Sequence, residues 1–407
     1  MDSKHRTIIQ IIHHLVEVIK AITMMSSLKV KFITCLLLLI FTACGNQRET
    51  QRTLLFVGSF TNKMPGEGIH IYEFDSESAT THLIYTLDSV VNTSFLKLSQ
   101  DGSHLYSVWE SQMPYHGKVA AFEVDLVNDN LRFINAQDCG GKNPVHLDID
   151  KTGNYLTNSN YTDPSLSVFK IKLDGSLKPF DQVFRFKDSS VIESRQEEAH
   201  IHSSNFSPDN NFLFAQDLGA DKIRAFQLKH SSNGSILREA REIKVDPGSG
   251  PRHFTFHPNG NFGYGVSELS GKILAFKYDS GKLKFLKDYD SYQQDQDIYR
   301  AADIHISPDG RFLYASNRAP EENSISIFKI NEDNGELKLV GHKPTYGKHP
   351  RNFAISPDGE FLFVANQFSN TIVIFKIDKE TGMLEKMQEE IKVNEPSSIQ
   401  MHQYKIK

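Results

Sequence analysis

The chain has 407 residues, with 45 Lys and Arg against 50 Asp and Glu, a net charge of −5, 39% hydrophobic residues and 23% charged ones. This describes a globular chain long enough to bury a core; it excludes a disordered polymer and a strongly basic nucleic-acid binder. Three cysteines make no disulfide framework and none stands at a metal-ligand spacing, while one Trp against 28 Phe and 14 Tyr leans towards strands.

The first 24 residues contain IIQIIHHLVEVIKAIT, which carries His, Glu and Lys and is too polar to span a bilayer. The simplest account is translation starting at Met24 or Met25; the alternative is an amphipathic extension. Lys29 and Lys31 then precede an apolar run, Phe32 to Ala43, followed by Cys44, Gly45 and the polar stretch NQRETQR. A basic flank, a short apolar core and a small-residue cleavage site describe a secretory signal. Cys44 after Phe41-Thr42-Ala43 resembles a bacterial lipobox, with Phe41 where leucine is usual. Residues 25–43 are therefore expected to be a lipoprotein-type signal peptide, 44–53 a linker and 54–407 one domain. Lipidation of Cys44 would hold an exported protein on a membrane through two or three acyl chains, on the periplasmic or cell-surface side. The alternative is a plain signal cut nearby. With Cys44 lipidated and Cys35 removed with the signal, Cys139 is the sole free thiol, and the expected role is that of a buried small hydrophobe.

From Cys44 onward the chain repeats. A turn phrase recurs as SQDG, DKTG, SPDN, HPNG, SPDG and SPDG, ending at Gly102, Gly153, Asn210, Gly260, Gly310 and Gly359, every 49 to 57 residues. Each phrase lies between an alternating run, such as HFTFH or NFAIS, and an apolar run, such as FLFAQ or FLFVA. Asx-Gly in that setting is the strongest short-range hairpin signal. A third run follows (KVAAFEVD, LSVFKIKLD, KIRAFQLK, KILAFKYD, SISIFKIN, TIVIFKID, with GIHIYEFD earlier), and then a fourth. Four short antiparallel strands per repeat of about 50 residues predict an all-β, seven-bladed propeller. The third strand occurs seven times and the hairpin turn six. LLFVGSF near the start matches FLFVANQ, and PSSIQM near the end matches PRNFAI, so the C-terminal strand is expected to complete the first blade and close the ring.

The repeat register sorts residues by rim. Six residues before Pro208, Pro258, Pro308 and Pro357 stand His202, Arg252, Ala302 and Arg351; ten after stand Leu218, Glu268, Arg318 and Gln367, with Glu110 in the first unit. The start of a first strand and the end of a second share one rim, so His202, Arg252 and Arg351 meet Glu268, Arg318 and Glu110 there. The long connections Lys187 to Ala199 and Asp288 to Arg300 overhang the same rim. His200 shares a strand face with His202 and rivals it.

The phrases GPRHFTFHPNG, VSEL, ASNR, PRNFAISPDG and VANQFSNTIVIFKID, with EAHIH and QDLGADKI, make residues 54 to 402 resemble the propeller-type lactonase family (6-phosphogluconolactonase-like), which also has a carboxy-muconate cycloisomerase branch. The resemblance implies hydrolysis of a sugar-derived lactone, without metal or other cofactor, at His202, Arg252, Glu268 and Arg318. Either Glu268 or His202 could be the base, and Arg252 and Arg318 could stabilise an oxyanion or grip a carboxylate or phosphate. His200, Arg351 and Glu110 are candidate substrate contacts, although solvated channel residues are the plainer reading of Arg351 and Glu110. Zinc binding by the His200/His202 pair would need His253 or His305 as a third ligand, and neither stands in register. Asn317, Asn366 and Asp217 recur at one repeat position and are expected to bond strand ends. A non-catalytic, surface-anchored binding propeller and a muconate-type cycloisomerase are the alternatives. An exported protein would also be separated from a cytosolic phosphorylated sugar lactone.

Overall fold

The computed structural model describes residues 10, 12–25, 50–229 and 236–406. They fall into two units, Met1–Thr50 with Lys405–Lys407, and Gln51–Tyr404. In the first, residues 12–25 are helical and exposed. Among the described residues no helix is long and apolar enough to cross a membrane. The signal expected up to residue 43, Cys44 and the linker as far as residue 49 lie outside the described residues.

The second unit is a seven-bladed β-propeller, built from seven four-stranded antiparallel sheets. The inner strands of blades 1 to 7 are Pro396–Ile406, Leu96–Leu98, Pro144–Ile149, Ile201–Phe206, Pro251–Phe256, Ala301–Ile306 and Pro350–Ile355. Blade 1 runs in the order Pro396–Ile406, Thr50–Ser59, Ile69–Asp75, Thr80–Leu87, so the last strand of the chain is the innermost strand of the first blade, as the end phrases predict. Its second strand begins at Thr50 rather than Leu54. The earlier start has local anchors: Thr53 pairs with Phe74, and Arg52 lies 2.9 Å from Glu73.

Strand position within a blade follows from which faces are covered. Middle strands are sandwiched between neighbouring blades and read as nearly continuous apolar runs, as in TIVIFKI over Thr371–Ile377. Outer strands face solvent and are mostly exposed or half-buried, as in Leu337–Pro344. The core is accordingly divided into clusters between adjacent blades: Phe74 of blade 1 meets Phe361 and Phe363 of blade 7, and Tyr264 of blade 5 shares a cluster with Leu313 and Phe328 of blade 6. The recurrent turn has a local cause. In SPDG the serine hydroxyl bonds the aspartate, as from Ser307 to Asp309 at 2.6 Å, and the Gly310 N–H returns to the Ser307 carbonyl at 2.8 Å with φ 80°.

Around the channel, polar side chains tie each inner strand to the next. Ser398 Oγ accepts the Leu96 N–H, Lys97 lies 2.8 Å from Asp148, and Asp148 accepts the Phe206 N–H. Ser203 donates to the Arg252 carbonyl, His253 bonds Asp303, Asp303 bonds Asn352, and Asn352 accepts the Ile399 N–H. These links pass through all seven blades and return to the first, so ring closure is polar at the channel and apolar between blades.

Candidate active site

One backbone device aims the site. Among the described pairings, those of the inner with the second strand in five blades skip residues near the rim: Val145, His202, Arg252, Ala302 with Asp303, and Arg351. A β-bulge leaves the skipped residue unpaired and turns its side chain out of the pleat, here at the positions six before the turn proline. Across each bulge the second strand ends on the same rim: Leu218, Glu268 and Gln367 donate their N–H groups to the carbonyls of His200, Gly250 and His349.

Glu268 is the hub. It is 5% exposed, and its Oε2 lies 3.0 Å from Arg252 Nε and 2.9 Å from Arg318, while Oε1 accepts from Arg195 at 2.6 Å. Burial alone would raise its pKa, but Arg318, Arg252 and Arg195 outweigh it and hold the carboxyl well below the usual range. The Arg252 contact is an ion pair without an aligned hydrogen bond from Nε; that guanidinium donates instead to the Ala302 carbonyl of blade 6. Burial and Arg318 push Arg252 down, but a guanidinium starts high enough to stay charged. Arg351 is half-buried over the Phe60 ring at 5.2 Å, with its pKa lowered to about 10 by burial and Arg318. Among the described residues no carboxylate pairs with it.

His202 is buried beside this cluster, and among the described residues its Nδ1 has no hydrogen-bond partner. Burial and then Arg252 hold its pKa well below the usual value, so the ring is neutral at pH 7. His200 is more tightly held: its ring stacks on Tyr161 at 4.2 Å and its Nδ1 bonds the Tyr161 carbonyl at 2.9 Å. Glu110 stands apart in its bonding, because its carboxylate takes Lys118 at 2.9 Å and no arginine of the cluster. The structure thus brings His202, Arg252, Glu268, Arg318 and Arg351 together, keeps His200 at their edge, and gives Glu110 a different partner.

Both long connections reach the site. The first supplies Arg195, and the second supplies the Arg300 carbonyl, which accepts from Arg318 Nε at 2.9 Å, and the Tyr292 hydroxyl, which accepts the Arg318 N–H. Sequence reasoning marked these loops but not Arg195. It also missed His349, whose Nε2 lies 3.2 Å from an Arg318 nitrogen and whose ring stacks on Phe368 at 4.1 Å. Burial and Arg318 push His349 down to about 2. The repeat register held the signal, since His349 stands two residues before Arg351 as His200 does before His202. Asn317, Asn366 and Asp217 bond strand ends and connections, as expected: Asn317 donates to the Ser291 carbonyl, Asn366 to the Thr345 carbonyl, and Asp217 accepts from His200 N–H. His253 and His305 both bond Asp303. Cys139 is buried with its thiol pushed up to about 12 by desolvation, so it is inert as a nucleophile.

A ring of arginines around one buried carboxylate, with a neutral histidine alongside, at one mouth of a seven-bladed ring, defines a polar small-molecule site in a propeller. The chain belongs to the lactonase family of seven-bladed β-propellers, whose family model matches residues 54–401. A Formosa agariphila protein named 6-phosphogluconolactonase is 57% identical over 351 residues, covering 86% of this chain and 99% of that one. A Bacteroides fragilis crystal structure matches with a TM-score of 0.81 at 34% identity, over 88% of this chain and 99% of that one. The periplasmic gluconolactonase of Pseudomonas aeruginosa matches with a TM-score of 0.78 at 30% identity, over 86% and 99%. The protein is a lactone-hydrolysing carboxylic ester hydrolase.

Proposed function

We propose that the substrate is a sugar-derived lactone of the 6-phosphogluconolactone type and that His202 is the base. The observation that carries this reading is the charge of the rim: Arg195, Arg252, Arg318 and Arg351 surround a single carboxylate, Glu268. The surplus positive charge suits a substrate bearing phosphate or carboxylate, and a guanidinium binds either through paired N–H donors. The relative from Formosa agariphila supports the phosphorylated lactone.

In this mechanism Glu268 is not the base. Both of its oxygens are taken by guanidiniums, Oε1 by Arg195 and Oε2 by Arg252 and Arg318, so neither is free to receive a proton from water; it orients Arg252 and Arg318 towards the lactone carbonyl. Neutral His202 takes a proton from water as the water oxygen bonds the acyl carbon. Arg252 and Arg318 stabilise the oxyanion that forms. The bond from the acyl carbon to the ring oxygen then breaks, and His202 returns the proton to that oxygen. Arg351, which pairs with no carboxylate among the described residues, binds the substrate's anionic group.

The test is proton release at constant pH on gluconolactone, its 6-phosphate and a muconolactone, corrected for spontaneous opening. Arg252→Ala is expected to lower kcat/KM by about 10³-fold with the fold intact. Preference for the phosphate should be lost in Arg351→Ala. Full activity in both Arg252→Ala and Glu268→Ala would overturn the reading, and isomerisation without hydrolysis would favour the cycloisomerase. The export reading, with a lipid on Cys44, draws support from the lipobox-like sequence and the periplasmic relative, and it requires a lactone found outside the cytoplasm, so preference for gluconolactone over its 6-phosphate would favour export and the reverse preference would count against it. Incorporation of labelled palmitate, lost in Cys44→Ser, checks it.

A further inference from the structure

One residue further along the inner strands from the arginines lies a second polar group that the mechanism above leaves unused. Asp303 is 2% exposed and accepts five donors from three inner strands. His253 Nδ1 at 2.7 Å and the Ile304 N–H at 3.0 Å reach Oδ1; His305 Nε2 at 2.9 Å, the Phe353 N–H at 3.2 Å and Asn352 Nδ2 reach Oδ2. Among the described residues no lysine or arginine forms an ion pair with it. His253 therefore holds its proton on Nδ1 and keeps Nε2 as an acceptor. Its ring stands between His202 at 5.3 Å and His146 at 5.4 Å. No hydrogen bond from the described protein occupies the Nε2 atoms of His202 and His253. A buried carboxylate behind an imidazole, beside an oxyanion site, is an arrangement that fixes a base's tautomer and orientation in acyl transfer.

We propose that Asp303 is a positioning residue of the active site that acts through His253: it locks the Nδ1–H tautomer and turns Nε2 towards the channel beside His202 as a second acceptor for the attacking water. The proposal rests on the lactonase reading above. The first water proton passes to His202 and on to the ring oxygen as the acyl–oxygen bond breaks. The second water proton is held by His253 Nε2, leaves with the new carboxyl group and is released to solvent, so lactone and water give a hydroxy-carboxylate and one proton.

Asp303 is also a link in the inter-blade belt, so a purely structural role must be separated from positioning. His253 is faced by Arg252 on its own strand, by Asp303 and His305 from blade 6, by His202 from blade 4 and by His146 from blade 3. Removing the one negative charge in that set lowers the imidazole's proton affinity. In the full chain, Asp303→Asn is expected to lower kcat by about 10²-fold with KM nearly unchanged. The acid limb of kcat should move to lower pH. Lys97→Met, which breaks a different link of the belt, should lower thermal stability and leave kcat and its pH profile alone. If Asp303→Asn fails to fold, His253→Gln, which leaves the other four donors on Asp303, should show the same loss of kcat. Wild-type kcat and acid limb in folded Asp303→Asn or His253→Gln, or an equal loss in Lys97→Met, would overturn the proposal while the lactonase reading stands. Absence of turnover by the wild-type protein on every lactone tried would overturn both.

Discussion

Neutral histidines are the residue-scale feature with the widest consequence. Burial, then Arg252, pushes His253 down to about 4, and His202 is displaced in the same direction. The unfolded chain binds a proton on each near pH 6.5, whereas the folded chain resists until lower pH. Their contribution to stability is therefore complete above about pH 6.5 and is lost as pH falls through about 4, and His253 alone is worth ~3 kcal/mol. Glu268 and Asp303, held below the usual carboxylate range, add to the loss only once their unfolded-state counterparts protonate, below about pH 4.5. The urea midpoint should thus fall between pH 7 and pH 5, and His253→Gln should shrink that fall. Equal midpoints at the two pH values would contradict the assignment. At this scale the sequence was informative where the repeat register applied. It placed His202, Arg252, Glu268, Arg318 and Arg351 on one rim, and it missed Arg195, which lies in a connection between repeats, where the register assigns no position.

At the scale of the element, the SPDG hairpin and the bulged inner strand do different work. The turn needs a left-handed residue, and the sequence states this by placing Gly or Asn there in all six copies. Two of these glycines separate backbone strain from crowding. Gly153 has φ 70° and open space where a Cβ would stand, whereas a Cβ on Gly310, with φ 80°, would meet His257 at 2.9 Å. Gly153→Ala is expected to cost about 1 kcal/mol of backbone strain. Gly310→Ala should lower the urea midpoint further, and equal shifts would show that the His257 ring moves aside freely. The bulge leaves no comparable mark. Nothing in HIHSSNF or GPRHFTF announces a skipped residue, because a bulge arises from how two strands pair across a twisted sheet. Sequence spacing found the rim position; the bulge explains why those side chains leave the pleat there.

On the scale of the whole molecule, stability comes from closure. The core is a set of wedges between blades, so losing one blade edge exposes two faces at once. Removing residues 396–406 takes away the inner strand of blade 1, the Asn352 contact to Ile399 and the Ser398 contact to Leu96. It leaves the strand Thr50–Ser59 as an open edge. The truncated chain is expected to aggregate or to lose cooperative unfolding in size-exclusion and thermal-melt measurements. A monomer that melts as the full chain does would show that the ring is held without its closing strand.

The sequence by itself determined the number of blades, the order of strands, the closing of the ring by its two ends, and the rim on which the charged residues gather. Each of these follows from local patterns repeated at a fixed period, and a period survives in sequence. The tertiary structure alone decided that three arginines, Arg195 among them, clamp Glu268, that His349 meets Arg318, and that Asp303 stands behind His253. Those contacts join blades and loops that are distant in the chain, and their chemistry is set by burial and by neighbouring charge, which no residue carries in its own name.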